Sequence, residues 1–474
     1  MELPPIEETA IERATDFPYR DVADEINNFV YPPTHAVDGQ GSISIESRLP
    51  LAAAMPQSRP YAVYVSIPFC RVRCHSCHCF KGLLPNASTR DDIMERYVSA
   101  LIAQANAYGQ AHRFRSAVCD AIYIGGGTAS VLTEDQASRL ISALRRAFPH
   151  NTDMEVNFEG NPADFTRPYL ENLKACDVTR LSIGYQSQQQ PVLDALNSPH
   201  DATQSRKAVV EALSLGFPTV NVDLLYNVPG QDFAQWSRDL ADLVALGPQG
   251  IGAGDYVVFP GSASEKLIAR GRLQTPHDLQ TTFQWYGATR NYLGEHGYAE
   301  QVRGIFARPG HAQRYVDLCC PQNGDIVGLG AGAISFIDRY QFQNPVDALP
   351  FIALSEADRP FEAQCISRRA SDRDLMRRFV MHNFFAFRLN RQAFSARFGI
   401  DPLDAFGDVF DRLRTYELVD IDEFEIRLTE IGRKWRRNIY HEFRMPEETS
   451  RAAAEWTTPS LAARGNRLSS ANGG

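Results

Sequence analysis

Residues 61–79 read Tyr61-Ala-Val-Tyr-Val-Ser-Ile-Pro-Phe-Cys-Arg-Val-Arg-Cys-His-Ser-Cys-His-Cys79. The first seven are mostly aromatic or β-branched, which predicts a strand over Tyr61–Ile67. The cysteines that follow it are Cys70, Cys74, Cys77 and Cys79. Three thiolates spaced C-x3-C-x2-C on a short loop can bind three irons of a 4Fe–4S cluster and leave the fourth iron open. The interleaved His75 and His78 keep a zinc site as an alternative, although no second C-x2-C pair follows.

The composition of the 474 residues is that of a globular chain. Hydrophobic residues make up 44% and charged residues 22%, which excludes a disordered chain, a collagen-like fibre and a coiled-coil rod. The net charge of −9 argues against a protein that coats nucleic acid or an anionic membrane. A cysteine cluster in so long a chain favours a metal site in a reducing compartment over a disulfide scaffold. Since there is neither a signal peptide nor an apolar run of about 18 residues, we expect a cytoplasmic protein without a membrane span.

Short apolar runs alternate with helical patterns along the middle of the chain. The runs lie at Tyr61–Ile67, Ala121–Ile124, Met154–Phe158, Arg180–Ile183, Val220–Leu225 and Tyr256–Phe259. The helix candidates lie at Asp92–Tyr108, Glu134–Phe148, Pro168–Ala175, Thr203–Leu215, Phe233–Leu246 and His277–His296. Strand–helix units in series predict an α/β fold with a parallel sheet, and they are too few to close an eight-stranded barrel. We therefore expect a partial, open (β/α)6 barrel.

The pattern outside these units suggests further domains. We expect an irregular N-terminal arm (1–57), the partial barrel (58–300), a connecting segment that completes the barrel face (301–365), a helical domain (366–446) and a disordered tail (447–474). Gly324–Gly332 is interpreted as a tight loop within the connecting segment. In the helical domain, Leu418–Ile421 and Glu425–Thr429 suggest a hairpin, as in a winged-helix module.

A second motif follows the second predicted strand, Ile124-Gly125-Gly126-Gly127-Thr128. Glycines allow close approach of a ligand to the backbone and permit positive φ angles. Ligands bind at the carboxyl ends of parallel strands, and the cysteine loop is expected at that same edge. The position, rather than the glycines alone, indicates a binding site.

Together these features resemble the radical S-adenosylmethionine (SAM) superfamily, and more narrowly the oxygen-independent coproporphyrinogen III oxidase (HemN)-like family. The resemblance extends from about Tyr61 to Phe443. Besides the cysteine and glycine motifs, the matching blocks are Glu159-Gly-Asn-Pro162, Arg180-Leu-Ser-Ile-Gly-Tyr-Gln186, Asp223-Leu-Leu-Tyr-Asn-Val-Pro229, Phe306-Ala-Arg-Pro309 and Gly328-Leu-Gly-Ala-Gly-Ala-Ile-Ser335. It implies a radical SAM partial barrel with a C-terminal helical, winged-helix-like HemN-type domain.

The resemblance also implies the roles of individual residues. Cys70, Cys74 and Cys77 would bind the cluster, and the open iron would take the amino and carboxylate groups of SAM. Residues 125–128 (Gly125, Gly126, Gly127 and Thr128) would line the methionine portion. Glu159, Gln186 and Asp223 would contact SAM, Asp223 through a ribose hydroxyl. Tyr64 and Cys79 are assigned to the catalytic site, with the role of Cys79 open.

In this family, one electron from a donor such as flavodoxin or ferredoxin cleaves SAM to methionine and a 5′-deoxyadenosyl radical, which abstracts a hydrogen atom. Family members can hold a second SAM molecule. The cofactor supplies the chemistry, and the protein orients it and excludes water.

Several positions depart from the family pattern. Ser66 replaces a histidine and cannot supply an imidazole. Ser76 stands where an aromatic residue usually packs near the adenine, a role that His75 could take. Asn197-Ser198 lacks the arginine that could hold the SAM carboxylate. Residues 314–320, which end in Cys319 and Cys320, replace the porphyrinogen-specific segment. The two thiols are interpreted as core residues, with a redox pair as the alternative.

These departures lead to three hypotheses. The favoured one is a two-SAM methyltransferase or C1-transfer tailoring enzyme that acts on an sp2 carbon of an aromatic, heterocyclic or tetrapyrrole acceptor. The alternative is a coproporphyrinogen III oxidase, an oxidoreductase (coproporphyrinogen dehydrogenase) of porphyrin biosynthesis. The third is a haem chaperone without turnover. All three imply a small-molecule partner and no nucleic acid.

Two features of the C-terminal domain have modest interpretations. The basic stretch around Trp435 (Arg433, Lys434, Arg436 and Arg437) is interpreted as a solvated helix face rather than a nucleic-acid patch. The aromatic run Phe384, Phe385 and Phe387 is interpreted as core packing, with an acceptor pocket as the alternative.

Overall fold

The computed structural model describes residues 12–13, 16–19, 31–36, 42–49, 51, 59–77 and 82–444. Most of the expected arm, the tail from 447, and His78 and Cys79 therefore lie outside the described residues. The strands are β1 (His35–Ala36), β2 (Ile43–Ser44), β3 (Tyr61–Ile67), β4 (Phe69–Cys70), β5 (Gly82–Leu83), β6 (Cys119–Gly126), β7 (His150–Gly160), β8 (Arg180–Gln186), β9 (Thr219–Tyr226), β10 (Gly250–Asp255), β11 (Ala299–Val302), β12 (Ile305–Ala307), β13 (Asp325–Leu329), β14 (Ile334–Ile337), β15 (Tyr340–Gln343), β16 (Glu362–Ala363), β17 (Cys365–Ile366), β18 (Arg388–Asn390), β19 (Val419–Ile421) and β20 (Glu425–Leu428).

The helices alternate with the central strands, and many begin at a side-chain cap. They are α1 (Arg90–Gln110), α2 (His112–Arg115), α3 (Glu134–Ala147), α4 (Arg167–Ala175), α5 (Gln190–Ala195), α6 (Ala202–Ser214), α7 (Phe233–Leu246), α8 (Ala263–Ala269), α9 (Leu279–Glu295), α10 (Arg314–Cys319), α11 (Ala348–Glu356), α12 (Asp372–Phe385), α13 (Arg391–Phe398), α14 (Pro402–Thr415), α15 (Glu430–Lys434) and α16 (Arg436–Glu442). Thr133, Asp201 and Asp232 form capping boxes with a glutamine three residues later. All six predicted helices of the barrel are confirmed, by α1, α3, α4, α6, α7 and α9.

One large sheet organises the fold. Its order is β1-β17-β15-β14-β13-β3-β6-β7-β8-β9-β10-β12-β11, and the run from β13 to β10 is parallel throughout. The strands at the two ends, β1 and β11, do not pair with each other in the described part of the chain. The expected open, partial barrel in an α/β fold is therefore confirmed.

Two predictions inside this sheet are wrong. The sixth strand is β10 and not Tyr256–Phe259, because Gly250-Ile-Gly-Ala-Gly-Asp255 has almost none of the β-branched residues that mark strands. The supposed loop Gly324–Gly332 contains β13, which pairs in parallel with β3. The turn begins only at Gly330, whose φ of +90° suits glycine.

The two faces of the parallel strands differ in chemistry. Alternate residues such as Val65, Ile124, Phe158 and Val222 are fully buried in the main hydrophobic core beneath the helices. The opposite face carries polar, aromatic and glycine residues, namely Tyr64, Ser66, Tyr123, Gly125, Asn157, Glu159, Ser182, Asn221, Asp223, Gly250 and Gly252. A closed eight-stranded barrel fills this face with branched apolar side chains. Here the same face is largely polar instead.

The C-terminal part builds a second hydrophobic core, to which Phe283 of α9 and Val302 of β11 also belong. Helices α12–α14 pack with the three-stranded sheet β18-β20-β19, and β19–β20 is the predicted hairpin. Phe384, Phe385 and Phe387 are buried in that core, which confirms the packing interpretation. The domain boundaries stay predictions.

The basic stretch is not a solvated helix face, and that interpretation was wrong. Arg436 and Arg437 are only 4% and 8% exposed. Arg437 donates to Asp255 at 3.1 Å, and Arg433 lies 3.3 Å from Glu300. These arginines are turned inward because two carboxylates of the neighbouring sheet edge attract them. Among the described residues no helix combines the length and the apolarity needed to span a membrane.

Candidate functional site

The cysteine loop begins where β3 and β4 end. Cys70 is buried, Cys74 and Cys77 are half-buried, and all three are free thiols. The Cys77 backbone N–H donates to the Cys74 carbonyl at 3.3 Å, which folds the loop back on itself. The Thr128 hydroxyl donates to the Cys70 sulfur at 3.5 Å, so the glycine motif meets the loop as expected.

The electrostatics of the three thiols suit a cationic group. Burial raises the pKa of Cys70, and burial together with Cys77 and Cys70 raises that of Cys74 to about 12. Three neighbouring thiolates are therefore costly without a compensating positive charge, which iron supplies by displacing the thiol protons. In the described ranges no three histidine, cysteine or acidic side chains lie close enough together to bind one metal ion. A 4Fe–4S cluster does not require such convergence, because each thiolate binds a different iron. The thiols thus fit a cluster.

The loop is anchored from the far side by the end of α5. The His75 backbone N–H donates to the Leu196 carbonyl at 2.8 Å, and the His75 ring Nδ1 lies 2.8 Å from the Ala195 carbonyl. Asn197 Nδ2 donates to the Arg73 carbonyl at 3.0 Å. The residues following the Gln186 block therefore position the cysteine loop. Whether His75 also packs near the adenine stays a prediction.

The glycine motif is required by close contacts within the protein. A Cβ atom on Gly125 would lie 2.6 Å from Glu159 Oε2, and one on Gly127 would lie 3.0 Å from Cys70 Sγ. Gly126 has a φ of +112° and packs on the Ile67 backbone. The glycine motif therefore packs between the cysteine loop that follows β3 and the Glu159 carboxylate on β7. Its contact with the methionine portion of SAM stays a prediction.

Glu159 and Asp223 project from β7 and β9 on the polar face. The Tyr123 hydroxyl donates to Glu159 Oε2 at 2.9 Å, and Asn221 Nδ2 donates to Asp223 Oδ1 at 2.8 Å. Burial, with Asp223 nearby, raises the pKa of Glu159 to about 7, and burial raises that of Asp223 to about 6. Two neighbouring half-buried carboxylates favour a ligand that brings a positive charge and hydroxyl donors. SAM carries an ammonium, a sulfonium and a ribose diol.

Gln186 ends β8 in a left-handed backbone conformation, with φ of 63°. The register between β8 and β9 shifts just before it, as in a β-bulge. A Cβ atom on Gly184 would lie 3.1 Å from Gln186 Nε2. The bulge thus directs the amide over the polar face, at the carboxyl edge.

Tyr64 belongs to a cluster of three tyrosines that the sequence did not reveal as a unit. Its ring stacks on Tyr123 with a centroid distance of 5.9 Å and an interplanar angle of 25°. Tyr315 of α10 lies 5.1 Å from Tyr123 and 6.1 Å from Tyr64. Tyr123 could have been found, because it lies two residues before Gly125 on the same face of one strand. Tyr315 is distant in sequence and carries no local signal.

The residues that depart from the family pattern form hydrogen bonds or ion pairs within the protein. The Ser66 hydroxyl donates to the Ala331 carbonyl at 2.8 Å. The Ser198 hydroxyl lies 3.1 Å from Nδ1 of His200. Helix α10 is fixed by Arg314, which pairs with Asp120 at 3.1 Å and with Asp153 at 2.8 Å. Neither serine stands in for the missing histidine or arginine.

Gly252 of β10 makes room for the side chain of Asp223. A Cβ atom on Gly252 would lie 2.1 Å from Asp223 Oδ1. Gly252→Ala must push the carboxylate away from Asn221, so we expect SAM to bind about tenfold or more weakly. Equilibrium binding of SAM to the cluster-loaded variant measures this. Gly254→Ala is the matched control, because its nearest atom is the flexible end of Leu225 at 3.3 Å. Equal affinities of the two variants would contradict the role of Asp223.

Comparison with known sequences adds independent information. The family model described as the radical SAM superfamily matches residues 64–243. Oxygen-independent coproporphyrinogen III oxidase of Escherichia coli (strain K12) is 27% identical over 404 residues, which cover 82% of this chain and 86% of that protein. Heme chaperone HemW of Mycobacterium tuberculosis (strain ATCC 25618 / H37Rv) is 31% identical over 289 residues, which cover 61% of this chain and 72% of that protein.

A solved structure shares the fold over almost its full length. It is the coproporphyrinogen III oxidase HemN from Escherichia coli, a radical SAM enzyme, with a TM-score of 0.73. The sequence identity is 24%, and the match covers 90% of this chain and 99% of that one. The resemblance therefore includes the C-terminal part as well as the partial barrel.

Proposed function

Because the chain belongs to the oxygen-independent coproporphyrinogen III oxidase (HemN)-like family of the radical SAM superfamily, we propose that it oxidatively decarboxylates coproporphyrinogen III or a closely related reduced tetrapyrrole. The observation that carries this proposal is the extent of the similarity to the Escherichia coli oxidase, 82% of this chain and 86% of that protein. The named relatives thus favour the oxidase over the C1-transfer hypothesis that the departures alone favoured.

The cofactors of this radical SAM enzyme are a 4Fe–4S cluster and SAM. The cluster takes the place of the zinc site that was considered as an alternative. Bound together, they supply reductive cleavage of SAM and abstraction of a hydrogen atom from the substrate. We assign cluster binding to Cys70, Cys74 and Cys77, and SAM binding to Glu159, Gln186 and Asp223. The helix-covered face of the sheet excludes water from one side, so the polar face is the side on which the substrate binds. An electron donor such as flavodoxin or ferredoxin would act from outside.

A specific observation supports a second candidate, transfer of a methyl or methylene carbon to a tetrapyrrole or other aromatic acceptor. The hydroxyl of Ser66 is committed to the Ala331 carbonyl and that of Ser198 to His200. The proton-transfer and guanidinium groups that the family places at these positions are therefore not replaced by equivalents. A reaction with different proton requirements would account for this.

One experiment separates the candidates. The cluster-loaded protein is incubated anaerobically with dithionite, coproporphyrinogen III and SAM carrying a labelled methyl group. The proposal predicts carbon dioxide release without label in the tetrapyrrole. Label in the product, with S-adenosylhomocysteine formed, would establish C1 transfer instead. Binding of haem with no cleavage of SAM would favour a chaperone of the HemW kind.

A further inference from the structure

Tyr123 has the geometry of a residue that controls Glu159. We propose that Tyr123 is a positioning residue, which holds the Glu159 carboxylate in the orientation that receives a cationic group of SAM. This inference rests on the proposed function only in taking SAM as the ligand. Its basis is the hydroxyl of Tyr123, which donates to Glu159 Oε2 at 2.9 Å from the neighbouring strand.

The ring of Tyr123 is held on two sides. Tyr64 stacks on it at 5.9 Å, and Tyr315 packs against it at 5.1 Å with an angle of 44°. Aromatic contacts at such distances restrict a ring in addition to burying it. Strands β6 and β7 are parallel, and Tyr123 lies opposite Asn157. Glu159 is the next residue of β7 on the same face, and the Tyr123 hydroxyl points toward it.

Gly125 completes the arrangement. The atoms nearest to a Cβ placed there are Glu159 Oε2 at 2.6 Å and Tyr123 Cε1 at 2.8 Å. Only glycine leaves space for the carboxylate to lie beside the tyrosine. The hydroxyl binds Oε2 and so fixes how the carboxylate faces an ammonium or sulfonium group.

The charges around Glu159 determine how the contact responds to pH. The groups that face it are Asp223 from β9, Tyr123 from β6 and, from the cysteine loop, Cys70. Burial and Asp223 raise the pKa of Glu159 to about 7, and the hydrogen bond from Tyr123 lowers it. A cation binds the ionised carboxylate, so SAM affinity should rise as the pH increases through this pKa. Without the Tyr123 hydroxyl, that rise should move to higher pH.

The test is equilibrium binding of SAM to cluster-loaded protein between about pH 6 and pH 9, on both sides of this pKa. We expect Tyr123→Phe, which keeps the ring, to weaken binding about tenfold near pH 7 and to shift the midpoint of the pH profile upward. Tyr61→Phe is the control, because its buried hydroxyl bonds the Phe114 carbonyl, away from the site, at 3.4 Å. Iron content is measured on every variant and affinity is expressed per loaded cluster.

A double-mutant cycle makes the outcome decisive. In a Glu159→Gln background, Tyr123→Phe should change SAM affinity less than about twofold, because the carboxylate that it positions is gone. An unchanged affinity and pH profile of Tyr123→Phe alone, or a full tenfold loss in the Glu159→Gln background, would overturn the proposal. A wild-type protein that carries a full cluster and binds no SAM would instead refute the proposed function.

Discussion

Replacing Cys74 by alanine is expected to abolish both the brown iron–sulfur cluster and all cleavage of SAM. Cys74 is the middle thiol of the loop, and its pKa is raised to about 12 by burial and by the neighbouring thiols Cys77 and Cys70. Two remaining thiolates leave two irons of the cluster without a protein ligand. Anaerobic reconstitution, iron analysis and detection of 5′-deoxyadenosine measure the effect.

Other cysteines provide the controls for this prediction. Cys176 bonds Ser138 at 3.4 Å on the helical layer, and Cys319 is the last residue of α10. Cys176→Ala and Cys319→Ala should retain the cluster and cleavage. A Cys74→Ala protein that holds a wild-type amount of iron would show that the ligands have been misassigned. Loss of cleavage in Cys319→Ala would mean that this thiol takes part in the reaction.

Glu159→Gln is expected to reduce SAM cleavage at least about a hundredfold while stabilising the protein that has no SAM bound. Burial and Asp223 raise the pKa of Glu159 from its ordinary 4.5 to about 7. The folded state therefore binds a proton more tightly than the unfolded state, so stability is lost as the pH rises from about 4.5 to 7. The free energy of unfolding falls by about 1–3 kcal/mol over this pH range. Glutamine does not ionise and therefore avoids this loss.

Thermal unfolding at two pH values tests the direction of this stability change. Glu159→Gln should melt higher than the wild type near pH 8 and at a similar temperature near pH 5, where the wild-type carboxyl is protonated. Glu356→Gln is the control, because Arg96 lowers the pKa of that exposed carboxylate and no gain at high pH should follow. A Glu159→Gln protein that is less stable at pH 8, or that cleaves SAM at the normal rate, would contradict the assignment.

The sequence alone predicted the fold and the site correctly wherever neighbouring residues determine the local structure. The bounds of β3 were predicted to the residue because its β-branched and aromatic run ends at a proline. The loop that follows carries its thiols at a spacing that needs no tertiary information. Placing Glu159, Gln186 and Asp223 at one edge required only that parallel strands end on the same side.

The failures share a different cause. Strand β10 escaped detection because Gly250 and Gly252 make room for the side chains of Asn221 and Asp223, which belong to another strand. The basic stretch was placed in solvent because Asp255 and Glu300, which attract Arg437 and Arg433, are far away in sequence. The contact of Tyr315 with Tyr123 is of the same kind. Each depends on a long-range neighbour that composition and periodicity do not show.

Radical SAM chemistry is tested most directly by the formation of 5′-deoxyadenosine by the wild-type protein. The protein is reconstituted anaerobically with iron and sulfide, its cluster content is measured, and it is incubated with SAM and dithionite. We expect 5′-deoxyadenosine and methionine in equal amounts, and neither product without the cluster. A fully loaded protein that leaves SAM intact would contradict this expectation.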